Sequence, residues 1–133
     1  MLSHQDLTGK IIGAAIAVHK ELGPGFLENI YEHALCVEFD ALGIPYERQK
    51  VINIVYRDKV VGEHRLDVLV AGSVVVELKA IRALEDIHFA IVRSYLHALK
   101  LECALILNFA TMPLTIKRVG PGLPPAEVKE TGE

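Results

Sequence analysis

The chain lacks several features that mark whole classes of protein. It has only two cysteines, Cys36 and Cys103, without a CxxC spacing, so we expect buried thiols in a reducing compartment and no disulfide scaffold. Its net charge of −3 is not the basic excess common in strong nucleic-acid binders. No apolar run approaches the roughly eighteen residues of a membrane span. The polar N-terminus shows no signal peptide, so we expect a cytoplasmic protein without a membrane segment.

Histidine and glycine patterns exclude further kinds of site. The six histidines are scattered without metal-ligand spacing, and the Gly-Pro-Gly sequence at 23–25 is too short for a phosphate-binding loop. What the chain does have is apolar residues, which make up 51% of its 133 positions and suffice for one core. We expect a single domain over residues 1–119 and a disordered C-terminal tail over 120–133, where no apolar period is visible.

Hydrophobic periodicity predicts the order of helices and strands. Apolar residues recur every three or four positions, as on one face of a helix, over about 7–22, 26–42 and 84–100. Alternating or continuous apolar residues predict strands at about 46–56, 60–70, 74–80, 103–109 and 114–119. The order α-α-β-β-β-α-β-β indicates an α/β domain with a mixed sheet.

A three-residue turn at 71–73 sets the register of the second and third predicted strands. Counting outward from it, one face of the hairpin is entirely aliphatic and comprises Val70, Val74, Val68, Val76, Leu66 and Leu78. The opposite face pairs Leu69 with Val75, Asp67 with Glu77, and Arg65 with Lys79. The uniform aliphatic face supports this register, which makes two acids direct cross-strand neighbours.

Two like charges at that spacing require an explanation. Cross-strand Cβ atoms lie about 5 Å apart, where two charges repel by about 3 kcal/mol at an effective dielectric near 20 and by less than about 1 kcal/mol in water. Full solvation, a raised carboxyl pKa or a bound cation would relieve the repulsion between Asp67 and Glu77. A divalent metal ion suits best, because hard cations bind a few carboxylates and keep waters for a substrate. Lys79, on the same face, could orient a water or contact an anion. A solvated face, on which Arg65 and Lys79 balance the acids, stays open at this point.

Two sequence patterns resemble a known group of proteins. Asp67 followed by Glu77-Leu78-Lys79 on adjacent strands resembles the D-x(n)-E-x-K motif of the PD-(D/E)XK nuclease superfamily. The segment GFLENIY at 25–31 is similar to the signature of the GxxExxY family, whose small members are placed in that superfamily. The segments VELKA and LILNF resemble the family's central and late strands, and the resemblance covers about residues 8–119. It implies a restriction-endonuclease-like fold with an αβββαβ core and a mixed central sheet flanked by helices.

The resemblance also implies an activity and roles for particular residues. It implies a Mg²⁺- or Mn²⁺-dependent nuclease that hydrolyses phosphodiester bonds in DNA or RNA. By position, Asp67 and Glu77 would hold the metal ion, with the Leu78 carbonyl as a further ligand, and Lys79 would activate or position the attacking water. Glu28 is similar to an additional acid that many such nucleases use; the alternative for it is an exposed helix acid. Nucleic acid is the implied partner, and a homodimer is left open because small nucleases of this fold often dimerise.

Two positions depart from the family pattern. Relatives usually carry glutamine where Ile91 stands, in the helix after the ExK strand, and they tend to carry glutamate where Ala17 stands. The alternative function is therefore that of a catalytically degenerate nuclease-fold protein that binds nucleic acid or a protein partner. We expect Tyr31 to be a packing residue with a hydrogen-bonding tip, and His88 to be a hydrogen-bonded core histidine.

Overall fold

Three helices flank a six-stranded mixed sheet in the computed structural model, which describes residues 4–129. The helices are α1 (His4–Leu22), α2 (Glu28–Leu42) and α3 (Asp86–Leu99). The strands are β1 (Tyr46–Tyr56), β2 (Lys59–Val70), β3 (Val74–Lys79), β4 (Cys103–Asn108), β5 (Thr115–Val119) and β6 (Ala126–Val128). The strands lie side by side in chain order; β3 and β4 are parallel and the other neighbours are antiparallel. The predicted α/β fold with a restriction-endonuclease-like αβββαβ core is confirmed.

The first two helices end at Leu22 and Leu42, where the apolar period predicts, and each is followed by a glycine. The N–H of Gly23 donates to the carbonyl of His19 at the end of α1. Gly43 has a left-handed backbone (φ 69°), and its N–H donates to the carbonyl of Asp40 after the last turn of α2. Within residues 4–129, no helix combines the length and the apolar character that crossing a membrane requires.

The sheet separates two apolar clusters. The α1/α2 cluster joins the buried faces of α1 and α2 to one face of the sheet, and its strand members include Val68, Val70, Val74, Val76, Leu78, Leu105, Leu107 and Ile116. The α3 cluster lies on the other face and comprises Ile52, Leu66, Leu69, Val75, Val92, Tyr95, Leu96, Ala104, Ile106 and Val119. Successive residues of β3 and β4 alternate between the clusters, as expected for strands that are buried on both faces. Cys36 and Cys103 are buried free thiols, as predicted.

The aliphatic face predicted for the β2–β3 hairpin is wrong at Leu66. Val68 and Val70 belong to the α1/α2 cluster, whereas Leu66 belongs to the α3 cluster. The strand pair β1–β2 changes faces between them, at the level of Asp67. Gln49, which lies opposite Asp67 in β1, has a left-handed backbone (φ 51°) that interrupts the alternation of side chains.

The tail predicted to be disordered over 120–133 is ordered in part. Ala126–Val128 form β6, which pairs with β5 at the edge of the sheet. Val128 is buried in the α1/α2 cluster, and Lys117 forms an ion pair with Glu127 at 3.0 Å. A three-residue edge strand needs only one buried side chain, so it produces no apolar period that a sequence pattern could reveal. The last four residues lie outside the described part of the chain.

Tyr31 fastens the connection between α1 and α2. Its buried ring stacks on Phe109 with centroids 4.5 Å apart. Its hydroxyl accepts a hydrogen bond from the N–H of Phe26 (3.1 Å) and donates one to the carbonyl of Gly23 (2.6 Å). The expectation of a packing residue with a hydrogen-bonding tip is confirmed. Because these bonds fix the turn immediately before α2, they also fix where Glu28, its first residue, begins the helix.

Removing only the hydroxyl of Tyr31 should destabilise the protein. Tyr31→Phe keeps the stacked ring but leaves the N–H of Phe26 and the carbonyl of Gly23 without their partner. We expect the free energy of unfolding, measured by urea denaturation, to fall by about 1–3 kcal/mol. Tyr46→Phe is the matched control, since its hydroxyl donates to Asp40 at an exposed position and its loss should be clearly smaller. Equal losses in the two variants would contradict the role of Tyr31.

Candidate active site

Two acidic side chains replace the backbone ladder where β2 and β3 separate. Backbone pairing confirms the predicted register near the turn and ends at Val68 opposite Val76. Beyond it, the N–H of Asp67 donates to Oε1 of Glu77 (3.0 Å), and the N–H of Leu78 donates to Oδ2 of Asp67 (2.9 Å). The predicted pairs further from the turn are wrong as backbone pairs, because each carboxyl takes the position that a carbonyl of the opposite strand would occupy. Asp67 and Glu77 are nevertheless neighbours, as predicted.

Burial dominates the electrostatics of this acid pair. Glu77 exposes only 6% of its surface and Asp67 is half-buried, so the alternative of a solvated sheet face is wrong. Burial, and then the negative charge of Asp67, raise the pKa of Glu77 to about 8. Burial also raises the pKa of Asp67, against the hydrogen bond from Leu78 and the positive charge of Lys79. Each carboxyl group affects the ionisation of the other, and together they hold a proton at neutral pH.

Lys79 lies beside the acid pair at the end of β3. It follows Glu77 by two residues and therefore points to the same side of the strand. Its side chain is half-buried, and its positive charge lowers the pKa of both Asp67 and Glu77. The parallel ladder with β4 fixes its backbone, since the carbonyl of Lys79 accepts a hydrogen bond from the N–H of Phe109 (2.8 Å). The structure therefore brings the three residues of the predicted motif together.

Glu28 approaches the pair from the start of α2. It is half-buried, and its negative charge contributes to the raised pKa of Asp67, so the alternative of an exposed helix acid is wrong. Across residues 4–129, however, no three His, Cys, Asp or Glu side chains are grouped closely enough to hold a metal ion. Glu28 is thus an electrostatic neighbour of Asp67, and the compact part of the site has two carboxyl groups.

The Leu78 carbonyl faces the same gap between the strands. The N–H of Leu78 points toward β2, where it donates to Asp67. In a β-strand the N–H and C=O of one residue point to the same edge. The backbone of Leu78 therefore offers an oxygen on the side where the two carboxyl groups lie.

Tyr95 is a neighbour of the site that the sequence pattern does not reveal. It is buried on α3, and its ring contacts that of His64 with centroids 5.4 Å apart. Burial, followed by the negative charges of Glu77 and Asp67, raises the pKa of Tyr95 to about 12. The phenol thus stays protonated beside the acids. Periodicity identifies Tyr95 as a buried helix residue, but only the packing of α3 on the sheet brings it near the pair.

Asn108 secures the chain immediately after Lys79. It is almost completely buried, and its Oδ1 accepts hydrogen bonds from the N–H groups of Ile81 and Ala110 (both 3.2 Å). Its Nδ2 donates to the carbonyl of Ile81 (2.9 Å). Asn108 therefore ties the segment that leaves the site to the end of β4. In the sequence, the one feature that could have indicated this role is the position of Asn108 as a single polar residue at the end of the apolar run CALILN.

Other singled-out residues have more peripheral positions. His88 is half-buried and accepts a hydrogen bond from the N–H of Glu85 through Nδ1 (2.8 Å). It is hydrogen-bonded as predicted, but it belongs to the capping box of α3 and not to the core. Ile91 is 36% exposed and precedes Tyr95 by about one helical turn. Ala17 is exposed on α1.

The stability of the metal-free protein should fall as the pH rises from about 5 to about 9. The pKa of Glu77 is about 8 in the folded protein and 4.5 ordinarily, so the folded state binds more protons than the unfolded state within this window. The free energy of unfolding must then decrease with pH, and the single proton held by Glu77 contributes a slope of at most about 1.4 kcal/mol per pH unit. Urea denaturation at several pH values measures it.

Glu77→Gln cannot ionise and should flatten this slope. Glu127→Gln is the control, because the Glu127 side chain is 62% exposed and pairs with Lys117 at the surface; it should keep the wild-type slope. A wild-type stability that is constant or rises over the same range would show that Glu77 does not hold its proton.

Comparison with models of known protein families identifies a superfamily over most of the chain. A family model for the PD-(D/E)XK nuclease superfamily matches residues 5–119. The match spans Glu28, Asp67, Glu77 and Lys79, and it includes every helix and strand from α2 to β5. No curated protein and no solved structure matches the chain significantly. The family match covers most of the chain, and the chain therefore belongs to the PD-(D/E)XK nuclease superfamily.

Proposed function

We propose that the protein is a Mg²⁺- or Mn²⁺-dependent nuclease of the GxxExxY type, which hydrolyses phosphodiester bonds in DNA or RNA in the cytoplasm. The observation that carries the proposal is the Asp67–Glu77 pair, a half-buried and a buried carboxyl group held by backbone N–H groups with Lys79 beside them. Membership of the nuclease superfamily supports the activity. The signature at 25–31 supports the narrower family, since it supplies Glu28 near the pair.

The donor set fits a hard divalent cation. Each carboxyl accepts a backbone hydrogen bond with one oxygen, Oδ2 of Asp67 or Oε1 of Glu77, and keeps a second oxygen that takes no part in these bonds. A cation would stabilise the ionised pair and displace the proton that it holds. Two carboxylates completed by water are a ligand set that Mg²⁺ accepts. Asp67 and Glu77, with the Leu78 carbonyl, would hold the ion.

The residues around the pair suit phosphodiester hydrolysis. When bound, the ion would polarise the scissile phosphate and lower the pKa of a coordinated water. The Lys79 ammonium would position the attacking water and stabilise negative charge that develops on the phosphate oxygens. Glu28 would orient water from the side of α2. In the overall reaction the oxygen of one water bonds to phosphorus, a phosphorus–oxygen ester bond breaks, and the released sugar hydroxyl takes up a proton. Cutting both strands of a duplex would use two copies, so a homodimer is part of the proposal.

Metal binding is the first test. Calorimetric titration of metal-free protein with Mn²⁺ should show binding by the wild type and at least about tenfold weaker binding by Asp67→Asn, since the variant loses a charged ligand. Glu127→Gln removes a surface carboxylate away from the pair and should bind Mn²⁺ as the wild type does. Equal binding by Asp67→Asn and wild type, or no binding by either, would rule out the acid pair as a metal site.

Cleavage is the second test. Labelled single- and double-stranded DNA and RNA should be cut in the presence of Mg²⁺ or Mn²⁺, and a chelator should stop the reaction. Lys79→Met keeps an aliphatic chain of similar length but removes the charge, and it should lower the cleavage rate about 10²- to 10³-fold. Lys117→Met, which changes a lysine on β5 that pairs with Glu127, should leave the rate unchanged. Full activity in Lys79→Met would remove the lysine from the mechanism.

A catalytically degenerate binding protein is the second candidate. The observation in its favour is Ile91, an apolar and partly exposed residue about one turn before Tyr95, at the position where the family pattern that the sequence resembles usually has glutamine. This alternative predicts binding of nucleic acid, measured by fluorescence anisotropy, without cleavage at any metal concentration. Under it, Ile91→Gln should produce metal-dependent cleavage that the wild type lacks.

A further inference from the structure

A second buried carboxylate lies on α2, one turn after Glu28. Glu32 is buried, and both of its oxygens accept hydrogen bonds from consecutive residues of β1. Oε2 accepts from Nε of Arg48 (3.1 Å) and Oε1 accepts from Nε2 of Gln49 (2.8 Å). A buried carboxylate without partners would be strongly unfavourable. Glu32 therefore connects α2 firmly to one point of β1.

That point of β1 has an unusual backbone. Gln49 has φ 51°, in the left-handed region that a non-glycine residue adopts only where its surroundings hold it there. Its side chain is held by Glu32, and its carbonyl accepts a hydrogen bond from the guanidinium of Arg65 (3.4 Å). Glycine would adopt this backbone without strain, but it could not make the contact with Glu32. The side chain of Gln49 is therefore needed for the hydrogen bond to Glu32, although glycine would suit the backbone better.

The left-handed residue lies opposite the aspartate of the acid pair. Arg48 is opposite Val68 and Lys50 is opposite Leu66, which places Gln49 opposite Asp67. At this level the two strands change the face on which their side chains are buried. The backbone N–H of Asp67, which donates to Glu77, lies at this same level of the sheet.

We propose that Glu32, acting through Arg48 and Gln49, is a positioning residue that aligns Asp67 and Glu28 for the metal ion. The same helix carries Glu28 and Glu32, so one buried contact fixes the distance of Glu28 from the strand level of Asp67. Both oxygens of Glu32 are occupied by Arg48 and Gln49, and its role is exerted through them. The part of this proposal that concerns the alignment of Asp67 and Glu28 for a metal ion rests on the proposed nuclease function.

Hydrogen exchange of single amides tests the positioning role without metal. The amides of Asp67 and Leu78 donate to the acid pair, whereas the amide of Phe109 donates to the carbonyl of Lys79 in the neighbouring ladder. Two variants remove the contact: Glu32→Gln, and Gln49→Gly, which also relieves the left-handed strain. In both, the amides of Asp67 and Leu78 should exchange at least about tenfold faster, while exchange of the Phe109 amide is unchanged. A general loss of stability would accelerate all three amides together and would overturn the proposal, as would unchanged exchange at residues 67 and 78.

Mn²⁺ titration then separates this proposal from the proposed function. Both variants should bind Mn²⁺ about ten- to a hundredfold more weakly than the wild type at a temperature where they are fully folded. Glu47→Gln is the matched control, because it breaks an ion pair with Lys50 (3.0 Å) on the same strand, and it should bind as the wild type does. Wild-type affinity in both variants would overturn the alignment for metal and leave the metal site intact. Failure of the wild type to bind Mn²⁺ would overturn the proposed function, and amide exchange would still decide the positioning role.

Discussion

The burial of two carboxyl groups at one level of the sheet is the constraint on which the rest of this structure depends. A carboxylate removed from water is costly unless it is hydrogen-bonded, and the nearest donors available to Asp67 and Glu77 are the backbone N–H groups of the opposite strands. Using those donors ends the ladder between β2 and β3 after Val76. The sheet must therefore be held together at this level by groups on either side of the gap.

Each side of the gap has its own support. On the β4 side, the parallel ladder fixes Lys79, and the buried amide of Asn108 ties down the chain that follows it. On the β1 side, Glu32 holds Gln49 opposite Asp67. These supports are polar groups inside a mainly apolar interior, and their hydrogen bonds are geometrically specific. A fully satisfied polar network fixes one arrangement more sharply than apolar packing does, which is what a site for a small ion requires.

The sequence predicts the parts of the fold that obey regular periods. Helix ends at Gly23 and Gly43, the hairpin register near its turn and the proximity of Asp67 to Glu77 all follow from counting positions. Counting positions fails where side chains stop alternating between the two faces of the sheet. A glutamine does not by itself predict a left-handed backbone, so the sequence does not reveal that Leu66 lies on the opposite face from Val68.

The remaining parts of the site depend on tertiary packing. The nearness of Tyr95 and the contact of Glu32 with β1 arise when α3 and α2 pack on the sheet, and no local pattern encodes either. The edge strand β6 is too short to show a period. A resemblance to known proteins predicts which residues carry the chemistry, whereas the groups proposed to position them emerge only from the three-dimensional structure.

The raised pKa of Glu77 supports the proposed binding of an ion by the acid pair. The pKa of Glu77 is raised to about 8, so ionising it within the fold opposes stability, and an apolar residue at the same position would avoid that cost. A ligand that binds only the folded, ionised pair would offset it, by about 2.7 kcal/mol when the ion is present at a hundred times its dissociation constant. The positive charge of Lys79 reduces the free-energy cost of ionising Glu77 but does not remove it, since the pKa of Glu77 stays raised in the presence of Lys79. Under the proposed function, Asp67 and Glu77 would hold the cation, and the departure at Ile91 would affect how well a substrate is processed.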